Sequence, residues 1–289
     1  MLALSLGLFA ALCWSIGDLI ARRLAPAMGA YRMTAIAMII GFLMLLVFAF
    51  GNSGVAKATP QDWLMLLVLG VFYGVAVSSL FKAFSMAPIS VVGPLTAGYP
   101  ALIVIWGLLH GLSPSVLQYA SIIAVVLGSV VVGGQSSGET SSDGIAPGNF
   151  SKVLFFCVVC EFCFAIAVVL GQNSSLVFGD YTTAGLLRLP AAVVLLPFAW
   201  NEKPERPNVT QTSFLGLVAI AALDVIALSG IYYMGVLPNK ELGAMGISAY
   251  GGIAVILAML ILKEPVARGQ WLGIGLITLG VAGLGVQAG

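Results

Sequence analysis

Ten stretches of about 20 mostly apolar residues follow one another along this chain, and no other feature constrains its fold as much. A helix of that length is what crosses the hydrocarbon of a bilayer. The stretches lie near residues 2–22, 31–50, 63–86, 90–109, 115–134, 152–171, 181–200, 212–235, 240–262 and 267–287. Breakers separate them: Pro26, Gly51 to Gly54, Pro88, Ser113 with Pro114, and Pro204 with Pro207. Of the 289 residues 60% are apolar and 8% charged, so there is too little polar surface to clothe a water-soluble domain. The expected fold is an all-α membrane protein of ten transmembrane helices, with the lipid bilayer as its main partner. Residues 1–21 lack a basic leader and run straight into Arg22 and Arg23, so they are expected to be a retained first helix, not a cleaved signal.

The polar, Gly/Ser-rich stretch 135–150 reads as a flexible linker between a first five-helix repeat, 1–134, and a second, 151–289. The halves share an ordered series of residues. Tyr31 and Tyr181, Pro88 and Pro238, and Gly93 and Gly243 are each 150 positions apart. Tyr99 and Tyr250, then Pro114 and Pro265, are 151 apart; Gln118 and Gln270, then Gly128 and Gly280, are 152 apart. Five is odd, so the second repeat re-enters the membrane upside down. Two inverted repeats around a central cavity are the architecture of secondary transporters, whose substrate site lies near the midplane.

The formal charge of +1 shows no basic stripe, so nucleic acid is not an expected partner. Arg22, Arg23, Arg32, Lys82, Lys152, Lys203, Arg206, Lys263 and Arg268 flank one side, with only Lys57 and Lys240 on the other. This bias favours both termini outside; the expected location is a bacterial inner membrane. Cys13, Cys157, Cys160 and Cys163 all lie in apolar stretches and are read as small packing residues, with no metal and no cofactor expected. The lone His110 has no nucleophile or metal partner in any recognisable motif, and no phosphate-binding Gly-x-x-x-x-Gly-Lys loop occurs. An intramembrane enzyme is therefore not expected. A channel is not expected either, for want of a symmetric ring of charges.

Ionisable groups at mid-bilayer are costly and face a protein or wet interior. Glu161, Arg188 and Asp224 fall near the centres of helices 6, 7 and 8. One acid is expected to pair with Arg188, leaving the other to meet a substrate ammonium or exchange a proton. Asp18, four residues before Arg22, is expected to pair with it on one helix face. Lys82 is expected to snorkel. Trp14, Tyr73, Tyr99, Phe162, Tyr232 and Tyr250 lie at the same depth, where a ring with a polar tip needs a partner; Phe162 carries no such demand. Tyr99 and Tyr250 are expected to face each other across the pseudo-twofold axis. Gly98 with Pro100, and Gly251 with Gly252, mark hinges beside them. Ser78, Ser79 and Ser248 offer short hydrogen bonds nearby, unless they bond their own backbone.

The chain resembles the EamA-type proteins of the drug/metabolite transporter superfamily. The resemblance rests on Leu6 to Gly17 with Trp14, Ala87-Pro88 followed by Gly93-Pro94 and Tyr99-Pro100, and Leu262-Lys263-Glu264-Pro265 with Gln270 and the Gly-spaced helix Gly273 to Gly285. It covers essentially the whole chain. It implies an exporter of small metabolites whose cavity is lined by helices 1, 3, 4, 6, 8 and 9, and termini in the cytoplasm, against the Lys/Arg count. Amino acids, aromatic ones first, are the expected cargo: Trp14, Tyr73, Tyr99 and Tyr250 would stack on a ring while Glu161 or Asp224 meets the ammonium. Export of lipophilic cations on the same fold is the alternative. The expected state is a monomer, with a homo-oligomer as the alternative.

Overall fold

The computed structural model describes residues 2–50, 52–99, 101–102, 105, 115–136, 149–203, 210–237, 246–247 and 249–284. Pro100, His110, Pro238, Lys240, Gly243, Ser248 and most of the linker lie outside them. The first repeat comprises α1 (Leu2–Met28), α2 (Ala30–Leu45), a short α3 (Ser53–Lys57), α4 (Pro60–Met86), α5 (Ile89–Leu95) and α6 (Val116–Ser136). The second comprises α7 (Phe150–Phe178), α8 (Asp180–Leu186), α9 (Arg188–Asn201), α10 (Gln211–Met234), α11 (Tyr250–Leu257) and α12 (Arg268–Leu284). There is no strand among the described residues. Six spans are long and apolar enough to cross a membrane, α8 and α9 counting together as one, and shorter apolar helices accompany them. The outer faces stay apolar: Trp200, Leu279 and Val130 are exposed, as lipid-facing side chains should be.

Helix packing repeats the internal duplication. Counting from each N-terminus, α7 is the counterpart of α1, α8 with α9 of α2, α10 of α4, α11 of α5 and α12 of α6. The pair α1–α10 is thus matched by α7–α4, and α4–α9 by α10–α2; the pairs α2–α9, α5–α11 and α6–α12 each map onto themselves. A twofold relation between the halves produces this pattern. The molecule is two inverted five-helix repeats around a central cavity.

Local chemistry follows the same symmetry. The turns into α2 and α8 each need a positive φ, supplied by Gly29 (86°) and Gly179 (78°), which are 150 positions apart. Gln118 and Gln270 accept from the backbone N–H of Ser115 (2.9 Å) and Ala267 (2.8 Å), each satisfying an orphan donor at the start of a last repeat helix. Thr59 and Asp62 form a capping box ahead of α4, with Pro60 at the first turn. Between α6 and α12, Gly128 and Gly273 bring the two backbones together: a Cβ on Gly128 would sit 2.7 Å from the Gly273 carbonyl oxygen.

Three expected spans are not continuous. The fourth stops at Leu95, bends through Thr96 to Gly98 and resumes at Tyr99. Thr96 and Gly98 are poor helix formers, which lets the chain leave the helix here. The seventh turns at Leu187 between α8 and α9. The ninth passes from α11 into a wider π turn, Ala258–Leu262. Gly98 lies in the first of these breaks, whereas Gly251 and Gly252 are helical, inside the first turn of α11.

Candidate functional site

A cavity of about 750 Å³ of atom-free space, mouth included, lies between the repeats. Its walls come from α1 (Cys13, Trp14, Gly17, Asp18), α4 (Val77, Leu80, Phe81) and the break after α5 (Thr96, Ala97, Tyr99). The second repeat adds Cys160 and Phe164 from α7, Ile220, Leu223 and Asp224 from α10, Ile247 and Tyr250 at the start of α11, and Val281 of α12.

The aromatic side chains meet at Phe164. Its ring lies 5.5 Å from Trp14, edge to face, 5.1 Å from Tyr99 and 5.9 Å from Tyr73. Trp14 and Phe164 are 150 positions apart, so it is this counterpart pair that touches across the axis. Tyr99 and Tyr250 both line the cavity, but each packs on one of that pair, Tyr250 on Trp14 at 6.4 Å. Phe162 is 58% exposed on the outer face. Along α7 it is Cys160 and Phe164, four residues apart, that look inward, and Phe162 between them points to lipid.

Asp224 is the most heavily bonded carboxylate on the cavity wall. Tyr73 OH (2.6 Å) and Trp14 Nε1 (3.0 Å) donate to its Oδ1, and Arg188 Nη1 donates to Oδ2 at 2.7 Å. Arg188 is 1% exposed, lies 5.8 Å from the centre of the Tyr73 ring and contacts the sulfur of Met38, its own counterpart in the first repeat. Of the two acids set against Arg188 in the sequence, Asp224 is the one that pairs. Glu161 takes another role: the backbone N–H of Gly98 donates to its Oε1, and that of Tyr99 to the same carboxylate, which braces the break after α5. Tyr73 touches Asp224 and does not line the cavity; the buried Ser78 gives its hydroxyl to the Val75 carbonyl one turn back. The OH of the buried Tyr232 has no partner among the described residues.

Asp18 does not pair with Arg22. It is 4% exposed and receives the Tyr250 hydroxyl at 2.5 Å, from the opposite repeat. Arg22 reaches away instead, to the Phe84 carbonyl (2.6 Å) and to Glu264 (3.6 Å). Nor does Lys82 simply snorkel: it pairs with Glu202 at 3.5 Å. These contacts form a layer at one membrane face. Glu202 accepts from the backbone N–H of Ala30, Tyr31 and Arg32 at the start of α2, and Glu264 from that of Ser90 at the start of α5. Both acids belong to the second repeat and all their partners to the first. At the other face Asn52, the counterpart of Glu202, donates to the Phe178 carbonyl and the Thr182 hydroxyl, both at 2.8 Å.

The four cysteines are buried free thiols, and no group of three or more His, Cys, Asp or Glu is placed to hold a metal among the described residues. The model of the EamA-like transporter family matches residues 1–134 and again residues 151–286. The chain belongs to the EamA-like transporter family. As an EamA-like protein of the drug/metabolite transporter superfamily it is a multi-pass membrane transporter of small molecules. A crystal structure of a protein 20% identical to this EamA-like chain superposes with a TM-score of 0.66, over 97% of this chain and 95% of that one, a likeness of fold alone. No curated protein matches it.

Proposed function

We propose that this EamA-like protein is a secondary carrier that exports small metabolites by alternating access, with amino acids, aromatic ones first, as cargo. The observation that carries the reading is one cavity in which the rings of Trp14, Phe164, Tyr99 and Tyr250 share the wall with the carboxylates of Asp18 and Asp224. Rings suit an apolar or aromatic body and carboxylates an ammonium head. In this scheme the break at Gly98, with Pro100 beyond it, and the glycines Gly251 and Gly252 serve as hinges, and Glu161 exchanges the proton if the cycle is proton-driven. The layer of Arg22, Lys82, Glu202 and Glu264 ties repeat to repeat at one face and must part when that face opens. Taken with the Lys/Arg bias of the sequence, its basic residues support a cytoplasmic placing of that face, with both termini outside and a bacterial inner membrane as the location.

No Lys or Arg lines the cavity among the described residues, and this favours a second reading, export of lipophilic cations, because a substrate carboxylate finds no partner there. Counterflow in proteoliposomes separates the two. Saturable exchange of phenylalanine, tyrosine or tryptophan supports the first reading; exchange of a quaternary ammonium dye with none of the amino acids replaces it with the second. With a pH gradient imposed, Glu161→Gln is expected to abolish gradient-driven uptake and to spare counterflow. Gradient-driven uptake that survives the substitution removes Glu161 from the coupling step.

A further inference from the structure

The two acids on the cavity wall are not equivalent. Asp224 has three donors, one of them a guanidinium, so its charge is already balanced. Asp18 has a single neutral donor, the Tyr250 hydroxyl on Oδ2, and its Oδ1 receives no hydrogen from any described residue. The basic side chain nearest along the helix, Arg22, is committed to Glu264 and the Phe84 carbonyl. Asp18 is therefore a carboxylate more than nine-tenths buried, on a cavity wall, with no cation in contact. A buried charge of this kind calls for an opposite charge from outside the chain.

The space beside it is built for such a group. Gly17, also on the wall, has no heavy atom within 4 Å of where a Cβ would stand, so the cavity is open at the residue next to Asp18. Trp14 lies one turn before Asp18 on the same face of α1, and its ring meets that of Tyr250, the residue bonded to Asp18. A carboxylate with one free oxygen, an open floor and two π faces within a turn make a receptor for a protonated amine.

We infer that Asp18 takes the charged head of the cargo, a protonated amine on an apolar body, with Gly17 leaving it room and Trp14 and Tyr250 framing it. The inference rests on reading the cavity as the cargo site, and it moves the ammonium contact from Glu161 and Asp224 to a residue of the first helix. Asp224, with Tyr73 and Arg188, becomes the fixed partner of Trp14 and positions that ring.

The test is calorimetric binding of 2-phenylethylamine and its neutral isostere 2-phenylethanol to the purified full-length protein, alongside counterflow. Wild type is expected to prefer the amine by about 30-fold or more, the range for one partner of a buried charge pair. Asp18→Asn, which keeps an acceptor for Tyr250, should shrink that preference to about threefold or less. Gly17→Val, which places its methyl groups in open space, should weaken both ligands. An undiminished preference in Asp18→Asn, or none in wild type, overturns the assignment. A wild type that exchanges amino acids without preferring the amine removes Asp18 and leaves the carrier reading standing. One that prefers the amine and exchanges nothing does the reverse.

Discussion

Replacing Arg188 by methionine isolates the buried ion pair at the back of the cavity. Methionine is what the first repeat carries at the equivalent position, Met38, so the side chain suits this fold. Removing one partner of a buried pair costs about 3–5 kcal/mol, because the other charge is left uncompensated. The lower end applies here, since Asp224 keeps the hydrogen bonds from Tyr73 (2.6 Å) and Trp14 (3.0 Å). Arg188 also carries a cost of its own: Nε and Nη2 are buried without partners among the described residues. The double variant Arg188→Met with Asp224→Asn removes both charges and those two orphan donors together. It is expected within about 1 kcal/mol of wild type, a coupling of at least about 2 kcal/mol between the sites. Thermal unfolding of the four proteins in one mild detergent, followed by tryptophan fluorescence, gives the order: wild type and double variant together, Arg188→Met well below. If the double variant falls by the sum of the two single losses, the residues act independently and the pairing argument fails.

Three other substitutions address separate parts of the structure. Gly128→Leu drives a side chain into the Gly273 backbone, where a Cβ has only 2.7 Å, and should abolish the folded fraction on gel filtration; Gly275→Ala, with nothing within 4 Å, should leave it unchanged. Phe164→Ala removes the ring on which Trp14, Tyr73 and Tyr99 converge and should weaken an aromatic ligand about tenfold, whereas Phe162→Ala on the lipid face should leave titrated affinity as it was. Glu202→Gln loosens the seam between α2, α4 and α9, and maleimide labelling of Cys13, on the cavity wall, should quicken severalfold from that face; an unchanged rate means the carboxylate is no latch.

Much of the architecture is legible in the amino-acid order because lipid demands long apolar runs and because a duplicated chain repeats its special residues. The pairs Pro88 with Pro238 and Gln118 with Gln270 mark the inversion without any structure. Gly29 with Gly179 carries the same spacing and belongs to the same signal. Which face of each helix looks inward is harder to read. In water, polarity marks the outer face; in hydrocarbon both faces are apolar, so α7 gives no periodic clue that Phe164 points in and Phe162 out. Partner choice is hidden for a related reason. Arg22 stands one turn from Asp18, yet it reaches Glu264 across more than two hundred positions, and only the folding of the second repeat onto the first brings that acid near.

A carrier made of two identical halves would have inward-facing and outward-facing forms of equal energy. In this chain the two faces are held differently: Glu202 pairs with Lys82 at one, and its counterpart Asn52 bonds neutral groups at the other. Added electrolyte screens the first seam and leaves the second alone, so under the alternating-access proposal ionic strength on a single side of the membrane is expected to bias which way the empty carrier rests.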